Sequence, residues 1–235
     1  MRALLLAAGL GTRLRPLTDS IPKCLLPIHG TPLLGIWLEM LTEAGVGPLL
    51  VNLHYLPEQV RDYVASSRFR NNVVLVHEEQ LLGTGGTIMV NRDFLDDGPF
   101  MVIHADNYSR FDVRGFIERH HARPPECEIT MMTFTTDTPH SCGIVELDDR
   151  GVVVGFHEKV AHPPGNLANG AVYIVEQTVA DFIAGLHSRW VDISTEVLPC
   201  FLGRIATFHN GDIHIDIGTP EAYRQANIAR NNREK

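Results

Sequence analysis

The chain has 235 residues, 44% of them hydrophobic, and a formal net charge of -8. That much apolar material can build a core, which excludes disorder as a starting expectation, and the excess of acids (28 Asp+Glu against 20 Lys+Arg) argues against the broad basic face that nucleic-acid binding needs. No apolar run approaches the ~20 residues of a membrane span, and the first apolar run lacks a signal-peptide layout, because Arg13 and Arg15 follow it and no small-residue cleavage site closes it. The expectation is a soluble, cytoplasmic protein with no membrane or nucleic-acid partner.

Residues 2–8 form a short apolar run suited to a buried strand, and the chain then turns abruptly into GLGTRLRPLTDSIPK. PLLGIWLEMLTEAG, from Pro32, has helical spacing and a glycine stop at Gly45. LLVNL (49–53) reads as a second strand, PEQVRDYVASS (57–67) as a second helix and NVVLVH (72–77) as a third strand. A helix is expected from about Gly86, and PFMVIHAD (99–106) is a fourth strand. Strands alternating with helices imply parallel β-α-β units. After residue 125 the rhythm changes: EITMMTF, CGIVELDD, GVVVGFHEK and NGAVYIV come close together, with DDRG as a turn signal, and read as added strands, some antiparallel. A helix over ISTEVLPCFL, two short strands around Gly211 and a helix from Thr219 close the chain. The fold class expected is α/β, a three-layer Rossmann-like arrangement with a mixed, mostly parallel sheet and helices on both faces. One domain over 1–235 is expected, with a first half (1–125) and a second half (126–230). Ligands of open parallel sheets bind beyond the carboxyl ends of the strands, so 9–23 and 104–107 are the first candidates.

The four cysteines, Cys24, Cys127, Cys142 and Cys200, are scattered without a C-x-x-C pair, so reduced and mostly buried thiols are expected. Among 20 basic residues only three are lysines: Lys23, Lys159 and the terminal Lys235. Glycines after a strand suggest anion binding by backbone N–H groups. A dinucleotide G-x-G-x-x-G from Gly9 fails at Leu14, and no P-loop is present.

What remains, Gly9-Leu10-Gly11-Thr12-Arg13-Leu14, Pro16 and Pro22-Lys23, resembles the G-x-G-T-R-L-x-P-x-T…P-K signature of the sugar-1-phosphate nucleotidylyltransferases, with a heptose- or mannose-1-phosphate guanylyltransferase cast. GTGGT (83–87) is similar to that family's second glycine loop, HADN (104–107) to its strand-ending aspartate, CGIVE and HEKV to its middle motifs, and NGAVYI and DIGTPEAY to its closing ones. The resemblance implies attack of a sugar 1-phosphate oxygen on the α-phosphorus of a nucleoside triphosphate, with release of pyrophosphate and formation of a nucleotide-sugar, a precursor of cell-surface polysaccharide. Such a nucleophile is already anionic near neutral pH, a phosphate monoester having a second pKa of ~6, so alignment and charge cancellation carry the catalysis.

The resemblance assigns catalytic roles to Arg13, Lys23, Asp106 and Lys159 and makes Asp106 and Asp216 ligands of Mg²⁺. Arg13 suits the departing phosphates, Lys23 the α-phosphate and Lys159 the phosphate of the sugar. Nucleotide contacts are expected from Leu6, Ala7, Ala8, Gly9, Gly11 and Thr12, from Glu78 and Glu79, and from Gly83 and Thr84. Sugar contacts are expected from Gly143, Glu158, Asn169 and Gly170. Glu78 and Glu79 tilt the base toward guanine, whose pairing edge offers two neighbouring donors to a carboxylate. UTP and dTTP stay open, as does a homo-oligomer. Where the family has Pro after the two lysines, Cys24 and Val160 stand here. Both aspartates occur as His-x-Asp, and in a strand i and i+2 share a face, so His104 and His214 are candidates for the same site or simply pack nearby. A non-catalytic nucleotide sensor and a dehydrogenase are the rival classes, the first disfavoured by the presence of Lys159, Asp106 and Asp216, the second by Leu14.

Overall fold

The computed structural model describes residues 1–96 and 98–229. Along the chain run β1 (Ala3–Leu6), β2 (Pro27–Ile28), β3 (Thr31–Pro32), α1 (Leu33–Glu43), β4 (Leu49–Leu53), α2 (Pro57–Ser66), β5 (Val73–His77), α3 (Gly83–Val90), α4 (Arg92–Leu95), β6 (Phe100–His104), β7 (Asn107–Arg110), α5 (Val113–His121), β8 (Ile129–Thr135), β9 (Gly143–Leu147), β10 (Val153–Glu158), β11 (Leu167–Val175), α6 (Gln177–Gly185), β12 (Ile205–His209), β13 (Ile213–Asp216) and α7 (Pro220–Ile228). Two interleaved units share them. The first holds Met1–Leu81, Ile103–Val113 and the chain from Asp212 on; the second holds Leu82–Val102 and Arg114–Gly211. Lys235 lies outside the described residues.

In the first unit β1, β4 and β5 are parallel, with Ala3 opposite Leu49 and Leu49 opposite Val73. The apolar runs fix this: Leu4, Leu5, Leu49, Leu50 and Val51 are all buried, each buried leucine contributing roughly 1.5–3 kcal/mol. β4 is buried along its whole length, as a central parallel strand requires. α1 starts one residue later than the proline suggests, with Pro32 as its N-cap, and ends at Gly45 in the left-handed conformation. Gly35 lets α2 come close, since a Cβ there would stand 2.1 Å from the Tyr63 hydroxyl oxygen. Trp37, fully buried, donates its indole N–H to the Asn107 carbonyl at 2.9 Å.

The second unit is mixed. β10, β9 and β11 are antiparallel, β11 pairs β8 antiparallel, and β8 pairs β12 in parallel. DDRG is the turn expected: Asp148 accepts from the backbone N–H groups of Arg150 and Val152 at 2.9 Å each. The two short strands expected around Gly211 are β12 and β13; β12 joins β8 and β13 joins β7. Two expectations change. The helix expected over ISTEVLPCFL is a wide turn at Ile193–Val197 followed by a 3₁₀ turn at Leu198–Phe201, because Pro199 has no N–H to continue an α-helical ladder. The helix expected from Gly86 begins at Gly83, so GTGGT is helical rather than a loop. The expected parallel β-α-β half and the added, partly antiparallel strands are both present.

A fully buried histidine in the second unit sets a pH dependence. His120 Nδ1 lies 2.8 Å from Thr130 Oγ1, and burial, helped by Arg123 and His121, pushes its pKa down to about 3. The unfolded ring takes a proton below about 6.5 while the folded ring stays neutral, so this contribution is complete above ~6.5 and lost as pH falls toward 3, at up to ~1.4 kcal/mol per pH unit. Urea denaturation of His120→Gln is expected to show a shallower loss of stability between pH 7 and pH 5 than the native chain; equal slopes would refute it.

Candidate functional site

The glycine segment is built by three local devices. β1 ends at Leu6, whose carbonyl accepts the Ala105 N–H at 3.1 Å, and the Ala7 N–H goes to Asn52 Oδ1 at 2.7 Å. Gly11 takes a left-handed φ of 62°, which a glycine adopts without strain, and its carbonyl accepts the Thr18 hydroxyl at 2.7 Å. The 3₁₀ turn Thr12–Leu14 then buries Leu14 and leaves Arg13 exposed, so apolar anchoring aims the guanidinium outward. Pro22, in extended geometry, opens a further 3₁₀ turn, Lys23–Leu25, with Lys23 and Cys24 buried.

Lys23 is the centre of the constellation. Its side chain is only 5% exposed, and Nζ donates to Asp106 Oδ2 at 2.9 Å and to Asp216 Oδ1 at 3.2 Å. Asp106 lies in the tight turn between β6 and β7, and Asp216 ends β13. The antiparallel pairing of β7 with β13 sets Asp216 opposite Asn107, the residue after Asp106. Strand register therefore joins two carboxylates far apart in sequence. Arg13 stands 3.6 Å from the other oxygen of Asp216, and the Gly218 N–H donates to Asp216 Oδ1 at 2.9 Å. Gly218 has to be small: a Cβ there would lie 2.6 Å from Arg13 Nη2. Burial by itself would raise the Asp106 carboxyl, but the Lys23 ammonium, then His104 and hydrogen bonds from Lys23 and the backbone, hold it below the ordinary carboxylate range.

The donor set suits Mg²⁺. Two ionised carboxylates turn oxygens on one positively charged point, and a hard cation that keeps waters and phosphate oxygens needs few protein ligands. Among the described residues no group of three or more His, Cys, Asp or Glu side chains gathers as a metal centre, so a richer, all-protein site is not on offer.

The two histidines divide. His214 shares β13 with Asp216; its Nδ1 lies 2.6 Å from Ser109 Oγ, its register partner. Burial lowers its pKa to about 4, against the opposing charges of Asp216 and Asp106. His104 ends a strand while Asp106 sits in the following turn, so the i, i+2 rule does not apply to that pair, although the two interact electrostatically. The Cys24 thiol is buried and pushed up to about 12, chiefly by that burial, which makes it a packed side chain rather than a nucleophile.

Of the expected base contacts, the Leu6 carbonyl and Ala7 N–H are used inside the fold, while Ala8 and Gly9 follow at the strand's carboxyl end. Glu79 is exposed; Glu78 is buried and accepts from Asn52 Nδ2 at 3.0 Å. All four aspartate, lysine and arginine positions just described fall in the first unit.

Gly83 and Thr84 belong to the second unit. A Cβ at Gly83 would stand 2.5 Å from the Val191 carbonyl oxygen, and one at Gly86 equally close to that of Arg189, so these glycines serve helix packing against 189–191. Thr84 Oγ1 accepts the Ile193 N–H at 2.7 Å. The sugar candidates gather in the same unit. Glu158 faces Gly143 across the β10–β9 pair, and a Cβ at Gly143 would lie 2.6 Å from Glu158 Oε2. A bulge in β11 between Asn169 and Tyr173 carries Gly170 and a left-handed Ala171, held by Asn169 Oδ1 accepting the Ala171 N–H at 2.9 Å. Asn169 Nδ2 donates to the Tyr173 hydroxyl at 2.7 Å. Lys159 has a φ of 49°, uncommon for a side chain of its kind; its ammonium is 3.1 Å from Glu158 and its side chain 64% exposed. Sequence patterns do not single out Asn52 or Tyr173; the one available signal is a polar residue inside the apolar run LLVNL.

Comparison with known proteins bears on this geometry. A family model described as nucleotidyl transferase matches residues 2–233. A mannose-1-phosphate guanylyltransferase of Mycobacterium tuberculosis is 32% identical over 226 residues, covering 94% of this chain and 62% of that protein. A glucose-1-phosphate thymidylyltransferase of Streptomyces griseus is 32% identical over 191 residues, covering 81% and 53%. The chain thus spans between half and two thirds of the length of these curated relatives. Among solved structures, HddC from Yersinia pseudotuberculosis complexed with GMP-PN superposes with a TM-score of 0.80 at 28% identity, covering 97% of this chain and 98% of that one.

Proposed function

We infer activity from a plain premise: the chain belongs to the nucleotidyl transferase family. We propose that it transfers a nucleoside monophosphate from a nucleoside triphosphate, GTP by preference, to a sugar 1-phosphate of the heptose or mannose type. The observation that carries the reading is Lys23 bridging Asp106 and Asp216 in the unit that also bears Arg13 and the glycine segment. The names of the guanylyltransferase relative and of the structure with GMP-PN support the guanine preference.

The phosphate monoester of the sugar attacks the α-phosphorus, and the bond to pyrophosphate breaks. No general base is needed, since the attacking oxygen is already ionised near neutral pH. Lys23 directs two of its three donors to the aspartates and gives the third to the α-phosphate, where charge builds. Arg13, exposed and forked, takes the departing β- and γ-phosphates. Asp106 and Asp216 would hold Mg²⁺, which when bound neutralises phosphate oxygens. In the second unit Glu158 accepts from sugar hydroxyls, and Lys159 holds the sugar's phosphate.

A pyrophosphate-release screen of the four NTPs against a panel of sugar 1-phosphates tests the whole reading. Release with GTP and a manno- or heptose-configured phosphate is expected. Release only with UTP or dTTP would favour the second reading, which the Streptomyces griseus relative supports, and no release with any pair would favour a nucleotide sensor. Lys159→Ala is expected to raise the KM for the sugar phosphate about tenfold or more with the Kd for GTP nearly unchanged. An equal loss of both affinities would remove Lys159 from the sugar side.

A further inference from the structure

We infer that Asn52 is a positioning residue that fixes the hydrogen-bond polarity of position 78 and, through it, the preferred nucleobase. The inference rests on the proposed guanylyl transfer with Glu78 at the base, and deepens it.

Asn52 is 3% exposed, a polar side chain in a strand whose other four residues are apolar and buried. Such an amide has to be hydrogen-bonded, and its two ends are chemically distinct. One end lies 2.7 Å from the Ala7 backbone nitrogen, which can only donate, so that end is the oxygen. The other end is therefore the NH₂, and it faces Glu78 Oε1 at 3.0 Å. A backbone donor, which no side-chain substitution changes, thus dictates that residue 78 must accept from Asn52. Glu78, itself 5% exposed, is further located by its backbone: its N–H donates to the Leu53 carbonyl at 2.8 Å, and His54 Nδ1 lies 2.8 Å from its carbonyl oxygen.

Ala7, Asn52 and Glu78 stand at the carboxyl ends of the adjacent parallel strands β1, β4 and β5, the end of an open parallel sheet where ligands bind. A carboxylate at 78 satisfies Asn52 and is an acceptor in every other direction. That matches guanine, whose pairing edge offers N1–H and N2–H₂. A glutamine at 78 would have to turn its oxygen to Asn52 and its NH₂ the other way, which matches the carbonyl oxygens of uracil and thymine.

The polarity can therefore be inverted and restored. Glu78→Gln is expected to lower the ratio of GTP to UTP affinity, measured by calorimetry on the folded chain, by tenfold or more. When Asn52→Asp is combined with Glu78→Gln, the introduced aspartate accepts from both the Ala7 N–H and the NH₂ of the introduced glutamine. The glutamine oxygen is then presented to the base again, and the ratio is expected to return to within about threefold of the native value. A ratio unmoved by Glu78→Gln would sink the underlying placement of Glu78 at the base. A ratio that falls in the single variant and stays low in the double variant would overturn the role of Asn52 alone. Should the double variant fail to fold, Asn52→Leu in the Glu78→Gln background frees the amide to turn, and the ratio is then expected to climb at least threefold above that of Glu78→Gln; no climb overturns the inference.

Discussion

Asp106→Asn is expected to reduce turnover by about three orders of magnitude or more while leaving the chain folded. The substitution keeps the size and one acceptor oxygen facing Lys23 Nζ, 2.9 Å away in the native chain, but removes the charge. That charge is maintained by its surroundings, since Lys23 and His104 keep the carboxyl ionised against the cost of burial. Without it, one of two carboxylates proposed to hold Mg²⁺ is gone, and with it the cation proposed to offset repulsion between two anionic substrates. Loss of one electrostatic group aimed at developing charge typically costs ~10²–10³ in rate, and loss of a metal ligand adds to that. Pyrophosphate release with saturating substrates, beside a thermal melt, checks both halves. A folded variant retaining a tenth of native turnover would remove Asp106 from the proposed metal site.

Lys23→Met carries two effects of opposite sign. Turnover is expected to fall ~10²–10³-fold, because the α-phosphate would lose the compact cation proposed to meet it. Divalent-cation affinity in the absence of nucleotide is expected to rise about tenfold, because Asp106 and Asp216 no longer share an ammonium at 2.9 and 3.2 Å. Methionine fills the buried stem volume of Lys23, so packing around Cys24 and Leu25 is preserved. Titration with Mn²⁺ followed by electron paramagnetic resonance reads the second effect without any turnover. Unchanged or weaker Mn²⁺ binding would show that Lys23 and the metal do not address the same two carboxylates.

Motif resemblance suffices to single out Asp106 and Lys23, but the ammonium shared between Asp106 and Asp216 is a tertiary contact, and how far local patterns reach differs by segment. LLVNL and PEQVRDYVAS are legible because a buried parallel strand and a proline-started helix are local events. GTGGT reads as a loop but is helical, because its glycines answer to the backbone of Val191 and Arg189, about a hundred residues on, rather than to a turn. ISTEVLPCFL has helical composition, but one proline decides its hydrogen bonds. Gly143 can be named from its motif, yet its physical requirement, the Glu158 carboxylate 2.6 Å from any Cβ it would carry, emerges only across a strand pair.

The chemical inventory and the family resemblance are written in the order of residues: the glycine segment with Arg13, two internal lysines where the motifs have them, and two aspartates. So is the alternation of strand and helix in the first half, since burial period and capping are properties of neighbouring residues. Which of these groups meet is a matter of long-range pairing. The β7–β13 register brings Asp216 beside Asp106, Lys23 ties them, and Asn52 links Ala7 to Glu78. Such pairings depend on hydrogen-bond partners tens to hundreds of residues apart, and local propensity carries no information about which distant strand will supply them.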